Sequence, residues 1–401
     1  MSRYWWLALG VLLPAVAARS EAQETRLLAP ERIARIPAGE RERWTAYIAR
    51  SDSVRRVDRA VVDAELRTLG RTAMDSAPFA KDDFGSDPRY RGSWWRSAAA
   101  ATVGRTLLTY QTATGGWSKH FDAHAGPRRP GQSYYGESTK WQYIATIDNH
   151  ATTGQLRYLL ALNAAQPAGQ WQDAIRRGVR YLLLSQMPNG CWPQVFPLQG
   201  SYHDAITYND NAVTEVARVL DTIAVLRPRW FDGATLSEVD AASTAALDCL
   251  LRTQVIIDGT PTIWGQQHDP LTLAPTRGRS YELASLATWE SAGILDYLMA
   301  RRRPTPRVVE AVRAAAAWLT AHAIVGQQYE MERGIWPGAP DARLWARMYT
   351  LDTQRPLFSN RDGIPRSSLD ELTDRRTGYF WYGTWPAPTL SRIAQWLTRT
   401  R

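Results

Sequence analysis

Lysine is nearly missing from this chain. Lys81, Lys119 and Lys140 are the only three, and every other one of the 48 basic residues is arginine. Composition bias of the genome is the simplest cause. Its chemical result is that cationic contacts fall to arginine, whose planar fork grips a carboxylate with two parallel hydrogen bonds. Cysteine is scarce as well. Cys191 and Cys249 exclude a disulfide framework, leaving one bridge or two buried thiols open. No phosphate-cradling glycine loop, nucleophile elbow or cysteine-based metal pattern occurs. Alternating apolar and polar runs are also absent, so β content should be low.

Long apolar runs are confined to the N-terminus. Met1-Ser2-Arg3 precedes an apolar run from about Tyr4 to Ala18, with small residues around Ala17 and Ala22. This is the layout of a secretory signal peptide, too short for a comfortable membrane span. The expected organisation is a signal peptide over 1–22, a charged helical extension over 23–77 and a catalytic domain over 78–401. The expected state is a monomer, released or periplasmic, with no stable membrane insertion. A formal charge of +9 suits an acidic partner; spread over the whole chain, it also does no more than keep a protein soluble.

What is present is a helical period. Trp95–Gln111, Thr153–Ala165, Trp171–Gln186, Asp210–Leu226, Leu236–Gln254, Tyr281–Arg301 and Thr305–Ala323 all carry apolar residues at three- and four-residue spacing. An internal repeat sits on top of it. Gln111 precedes Gly115-Gly116-Trp117, Gln186 precedes Gly190-Cys191-Trp192, and Gln254 precedes Gly259 and Trp264. Stacked helical hairpins that bury faces against their neighbours give a curved or closed array. The expectation is an all-α fold, an (α/α)3 toroid-like barrel with its long loops on one end.

Two polar clusters open helices. One is Thr146-Ile147-Asp148-Asn149-His150, the other Tyr202-His203-Asp204-Ala205-Ile206-Thr207-Tyr208-Asn209-Asp210-Asn211. Asp and Asn cap helices well, and either residue alone is explained that way. As a pair in matching contexts, Asp148 and Asp210 also fit a calcium site, which takes carboxylates, amide carbonyls and water. His150, His203 and His268 lack helical zinc-ligand spacing. The loops around Lys119, Arg279, Arg361 and Arg375 mix cations, glycine and aromatics, a composition suited to an acidic sugar.

Thr146–Thr153 with Leu156-Arg157-Tyr158-Leu159, the Tyr202–Ala212 segment, Trp264-Gly265-Gln266-Gln267-His268-Asp269-Pro270 and Arg279-Ser280-Tyr281-Glu282-Leu283 together resemble the polysaccharide lyase family 10 pectate lyases. The match runs from about Trp94 to Trp385. The resemblance implies a toroid-like fold and calcium-assisted β-elimination of polygalacturonate, an acidic polysaccharide rather than nucleic acid. By position it implies that Asp148 and Asp210 hold calcium and meet the reacting sugar. Lys119, Arg279 and Arg361 would meet substrate carboxylates, with Arg375 or its neighbour Arg376 as the base. His120 stands where Asn is common, and Gly265 where Cys is common. Two rivals differ in class. One is an inverting glycoside hydrolase using two carboxylates ~6.5–9.5 Å apart, such as Asp210 and Glu290, with no metal; the other is a non-catalytic polyuronate-binding protein.

Overall fold

The computed structural model describes residues 26–81, 84, 89–137 and 141–399. The signal-peptide segment, 1–22, lies outside the described residues. No described helix is long and apolar enough to cross a membrane.

The helices are α1 (Pro30–Ile33), α2 (Ala38–Thr68), α3 (Ala98–Thr109), α4 (Thr153–Ala165), α5 (Gly169–Ser185), α6 (Ala212–Leu226), α7 (Gly233–Arg252), α8 (Thr288–Met299), α9 (Pro306–Ala321) and α10 (Pro386–Arg399). Ser97, Asp232 and Thr305 start α3, α7 and α9 by accepting from Ala100, Thr235 and Val308 N–H groups, which satisfies donors that have no partner within the helix. Helices α4–α5, α6–α7 and α8–α9 form hairpins. The first members pack in succession with α3 as one layer, and α5, α7 and α9 make a second. Residues buried on both sides of the first layer, such as Leu156, Leu159, Val216, Leu220 and Leu295, form its core.

The repeat has a physical basis. Trp117, Trp192, Trp264 and Trp345 are fully buried. Each indole N–H donates to a carbonyl at or near a helix C-terminus: Leu107 (2.8 Å), Leu182 (2.8 Å), Leu250 (2.7 Å) and Leu319 (2.8 Å). The helix-end glutamines do a second job. Gln111, Gln186 and Gln254 each donate both to a carbonyl of their own turn and to a helix of the next hairpin, at Ala174, Ala242 and Ala311. The cysteines form the disulfide Cys191–Cys249, which ties the second turn to α7.

The all-α expectation is overturned. Among the described residues there are also fourteen short strands in six small sheets. None exceeds four residues, too short to show alternation in sequence. Some form local hairpins, such as Gln327–Glu330 with Gly334–Pro337, and others pair between the long loops. Ile206–Thr207 pairs antiparallel with Gln267–His268, and Met348–Tyr349 with Leu286–Ala287. The expected helix over Tyr281–Arg301 is correspondingly cut back to α8, because Tyr281 to Ala287 belong to this loop layer.

Helix α2 runs 31 residues, about 46 Å at 1.5 Å per residue. Its buried stripe, Trp44, Tyr47, Ser51, Val54, Asp58, Val62 and Leu66, has the spacing of one helix face. Along it, Asp58 accepts from Thr114 N–H and hydroxyl (2.9 and 2.7 Å), Tyr47 donates to Ser185 O (3.0 Å), and Ser51 accepts from Leu198 N–H (2.8 Å). Glu65 takes both arms of Arg128 and the Gly131 N–H. From α1, Arg32 reaches Asp269 at 2.6 Å.

Burial pushes the Asp58 carboxyl up to about 6 against its bonds from Thr114 and Thr112. An acid raised above its unfolded value near ~3.9 binds more protons when folded, so its contribution is complete below about pH 4 and is lost as pH rises through 6. Asp204 is raised by burial to the same range. Asp58→Asn should therefore remove part of this pH dependence, so that stability falls less between pH 4 and pH 8 than in the wild type. Urea midpoints at pH 4 and 8 measure it; an unchanged difference between the two would contradict the assignment.

Candidate active site

The two sequence clusters fold into matching turns. Single 3-10 turns at Asp148–His150 and Asn209–Asn211 lead into α4 and α6. Asn149 and Asp210 have φ of 48° and 51°, and His150 and Asn211 have 60° and 61°. Asn and Asp tolerate this left-handed region better than other non-glycine residues. Thr152, β-branched, also sits at φ 59°. Its hydroxyl accepts from Trp117 N–H (3.0 Å) and donates to Thr146 O (2.8 Å), so the surrounding bonds hold a conformation the residue would otherwise avoid. Neither carboxylate caps its helix; no side-chain cap bond is made at these helix starts. Both residues line one cleft instead.

The register exchanges acid and amide between turns: Asp148 matches Asn209, and Asn149 matches Asp210. That exchange lets them interlock. Asn149 donates to Asp210 Oδ2 at 3.1 Å, and Asn209 donates to the same oxygen at 2.7 Å. Asp148 is ion-paired with the Lys119 ammonium and accepts from Gln194 at 2.9 Å. Lys119 also donates to Asn149 Oδ1 at 2.8 Å. Burial raises the Asp210 carboxyl above its ordinary range, and the Asp148 charge adds to the rise.

Both turns open on one cleft of ≈ 630 Å³ that also receives Lys81, His120, Glu137, Trp141 and Arg279. From Lys119 one arm runs through Glu137 (3.6 Å) to His120 and Tyr135, at 3.0 and 2.8 Å from that carboxylate. Trp141, His203 and Tyr202 continue as packed rings. The other arm runs from Asp210 through Asn209 and Gln266 to Glu282, which accepts from Gln266 (2.9 Å) and pairs with Arg279. Tyr208 N–H donates to Gln266 O (2.9 Å), so the short sheet at Ile206–Thr207 and Gln267–His268 is what lays these loops together.

Of the residues singled out from sequence, Lys119, Asp148, Asp210 and Arg279 line this cleft. Arg375 stands beside it: its guanidinium lies 4.3 Å from the Tyr281 ring centre, and Arg279 lies 5.0 Å from the same ring. Arg376 turns away to Asp370 (2.7 Å). Arg361 is exposed, 4.0 Å from Asp374; burial raises the Tyr281 phenol, and Arg361 joins Arg279 and Arg375 in partly opposing that rise. His268 has both ring nitrogens engaged, with Gly265 N–H and Leu273 O. Asp204 supports its loop through the Gln199 and Gly200 N–H groups.

Sequence reasoning missed the layer beneath. Arg347 is buried, pairs with Glu290 at 2.6 Å, and donates to Asn209 Oδ1 at 3.1 Å. Asn209 Oδ1 thus takes two donors, which leaves its N–H₂ to face Asp210. Nothing in Trp345-Ala346-Arg347-Met348 signals this. Glu290, offered as a hydrolase carboxylate, is enclosed and committed to Arg347, so it cannot reach a substrate.

Comparison with known proteins agrees with the geometry. A family model described as pectic acid lyase matches residues 111–390. A solved family 10 polysaccharide lyase from Cellvibrio cellulosa is 31% identical with a TM-score of 0.67, over 76% of this chain and 94% of its own. An aspartate-to-alanine variant of a family 10 polysaccharide lyase from the same organism, in complex with trigalacturonic acid, is 29% identical with a TM-score of 0.67, over 79% of this chain and 99% of its own. A comparison with curated proteins gives no match. Fold and site define a polysaccharide lyase, and the protein is an enzyme. The chain belongs to the pectic acid lyase family.

Removing one member of a buried ion pair strands the other charge. Glu290→Ala should therefore cost about 3–5 kcal/mol, read as a lowered urea midpoint. A loss below about 1 kcal/mol, the range of an exposed pair, would contradict the buried pairing.

Proposed function

We propose that this chain is a pectate lyase that cleaves polygalacturonate by β-elimination, assisted by calcium and by an arginine base. The observation that carries this reading is the convergence of Asp148 and Asp210 with Lys119 and Arg279 on one cleft, beside Arg375. Two carboxylates facing several fixed cations suit a carboxylated sugar chain. The trigalacturonic acid held by the related lyase supports the same substrate class.

The residues fit calcium by chemistry. The cleft offers carboxylate and amide oxygens, the donors that ion takes. Gln194 lines the same cleft, and its Oε1 is buried without a protein partner. Among the described residues, no group of three or more His, Cys, Asp or Glu could hold a metal. Asp148 and Asp210, with amide oxygens nearby, would therefore hold calcium through few protein ligands, completed by the substrate. When bound, calcium acts as a Lewis acid on the uronate carboxylate.

The chain's own residues do the rest. C5–H of a uronate lies α to its carboxylate. Loss of that proton builds negative charge on the carboxylate oxygens, where Lys119 and Arg279 supply fixed positive charge. Arg375 takes the proton from C5, the C4–C5 double bond forms, and the C4–O4 bond breaks. The departing oxygen gains a proton from solvent, and the new end is 4,5-unsaturated. Arg375 suits the base role better than Arg376, because Arg376 is occupied by Asp370. A guanidinium normally stays protonated, with a pKa above about 12, so the rate should rise toward alkaline pH. The N-terminal signal pattern supports export as the setting.

Wild type should release unsaturated product from polygalacturonate at alkaline pH, detected by ultraviolet absorbance, and should lose activity with a calcium chelator. Asp210→Ala should fall roughly a hundredfold or more. Arg375→Ala should lose turnover roughly 10²–10⁴-fold while still binding a trigalacturonate. Activity indifferent to chelation would remove calcium from the mechanism. An acid-peaked profile with an intact fold would remove the arginine base.

A further inference from the structure

The cleft receives residues that lie before the family match. That match begins at residue 111, yet Lys81 lines the cleft. Phe79 stands against the ring of His120, with centroids 5.7 Å apart edge to face, and His120 lines the cleft too. The segment reaches this position by pairing with the site loops. Ser133 N–H donates to Asp75 O (2.8 Å), Ala80 N–H to His120 O (3.0 Å) and Asp122 N–H to Pro78 O (2.9 Å). Phe79 and Phe121 form an antiparallel bridge. Upstream, α2 holds the same neighbourhood through Glu65 on Arg128 and Gly131. Residues 75–81 are thus a short strap laid along the loop that carries Lys119.

The strap presents unusual chemistry for a surface. Phe79 is 53% exposed, although a ring left that exposed forfeits about half of its burial free energy. Lys81 is one of only three lysines, and a second of them, Lys119, occupies the same cleft. An exposed ring packed on a cleft residue, with a cleft-lining lysine two residues further along the same strap, matches a uronate unit. The ring takes the apolar C–H face of the sugar, and the ammonium takes its carboxylate.

We propose that Phe79 and Lys81 form an outer subsite for a further uronate unit of the chain, beyond the units at Asp148 and Asp210. It rests on the polyuronate reading above. The subsite adds binding energy without touching the reacting atoms, so it lowers KM on long chains and leaves kcat unchanged.

The test compares wild type with Phe79→Ala, Lys81→Gln and the double variant, all surface substitutions outside the core. KM and kcat are measured on trigalacturonate and on long-chain polygalacturonate, with calorimetric binding of both. Each single variant should raise KM and weaken binding of the long chain roughly three- to tenfold, with kcat unchanged and a smaller effect on the trimer. The Lys81→Gln effect should shrink at high ionic strength, and the Phe79→Ala effect should not. Variants equal to wild type on both substrates would overturn the subsite while leaving the lyase reading intact. An equal loss on both lengths, or a fall in kcat, would place these residues at the cleavage point and overturn the outer assignment. Wild type that neither binds nor cleaves polygalacturonate would overturn both readings.

Discussion

A buried indole donating to a helix-end carbonyl organises this molecule. The last carbonyls of a helix have no partner within it, and burying them bare would cost about 1–3 kcal/mol each. Trp117, Trp192, Trp264 and Trp345 each donate to one such carbonyl, sharing the first three with the Tyr110 N–H and the Ser185 and Thr253 hydroxyls. Their own backbone then reaches on to the next helix start. Trp117 N–H donates to the Thr152 hydroxyl and Trp264 N–H to the Ser291 hydroxyl, while Thr146 and Ala287 N–H groups donate to the carbonyls of Trp117 and Trp264. The turn bearing Asp148 is thereby fixed to the end of α3, and the start of α8 to the end of α7. Geometry at the cleft is inherited from the packing beneath it.

The second constraint is charge. Burial disfavours the ionisation of Asp210, and the nearby Asp148 charge adds to this. Lys119 offsets one of them directly, and the buried Arg347 acts behind the other through Asn209. Arg347 is itself kept buried by Glu290 and by the faces of Trp289 and Tyr379, 4.4 and 4.7 Å away. A buried pair adds little to stability. Here its value is directional, because it decides which way the Asn209 amide points.

The repeat was legible because Gln, Gly and Trp each perform a bond that the geometry requires at a fixed place. The fourth copy was not: Leu319 and Trp345 lie 26 residues apart, and no helix-end Gln and glycine turn mark the interval. Asp148 and Asp210 were legible as a pair, and the structure removes the capping explanation that competed with them. Arg375 and Arg376 are adjacent in sequence and indistinguishable there; only their partners, Tyr281 and Asp370, separate them. The strands were illegible, since none exceeds four residues and most have only two, too few to set up a local period. Arg347 was illegible too, because its role depends on Asn209, 138 residues away.

Helix α2 has a consequence in the order of synthesis. Its apolar face is made early, but Thr114, Ser185 and Leu198, which cover it, emerge much later. For α1 the wait is longer still, with Asp269 following Arg32 by 237 residues. Helix α2 therefore cannot complete its polar contacts until the end of α5 and the loop after it have been made, whereas the strap it leads into finds its partners, His120, Asp122 and Ser133, within about sixty residues of itself.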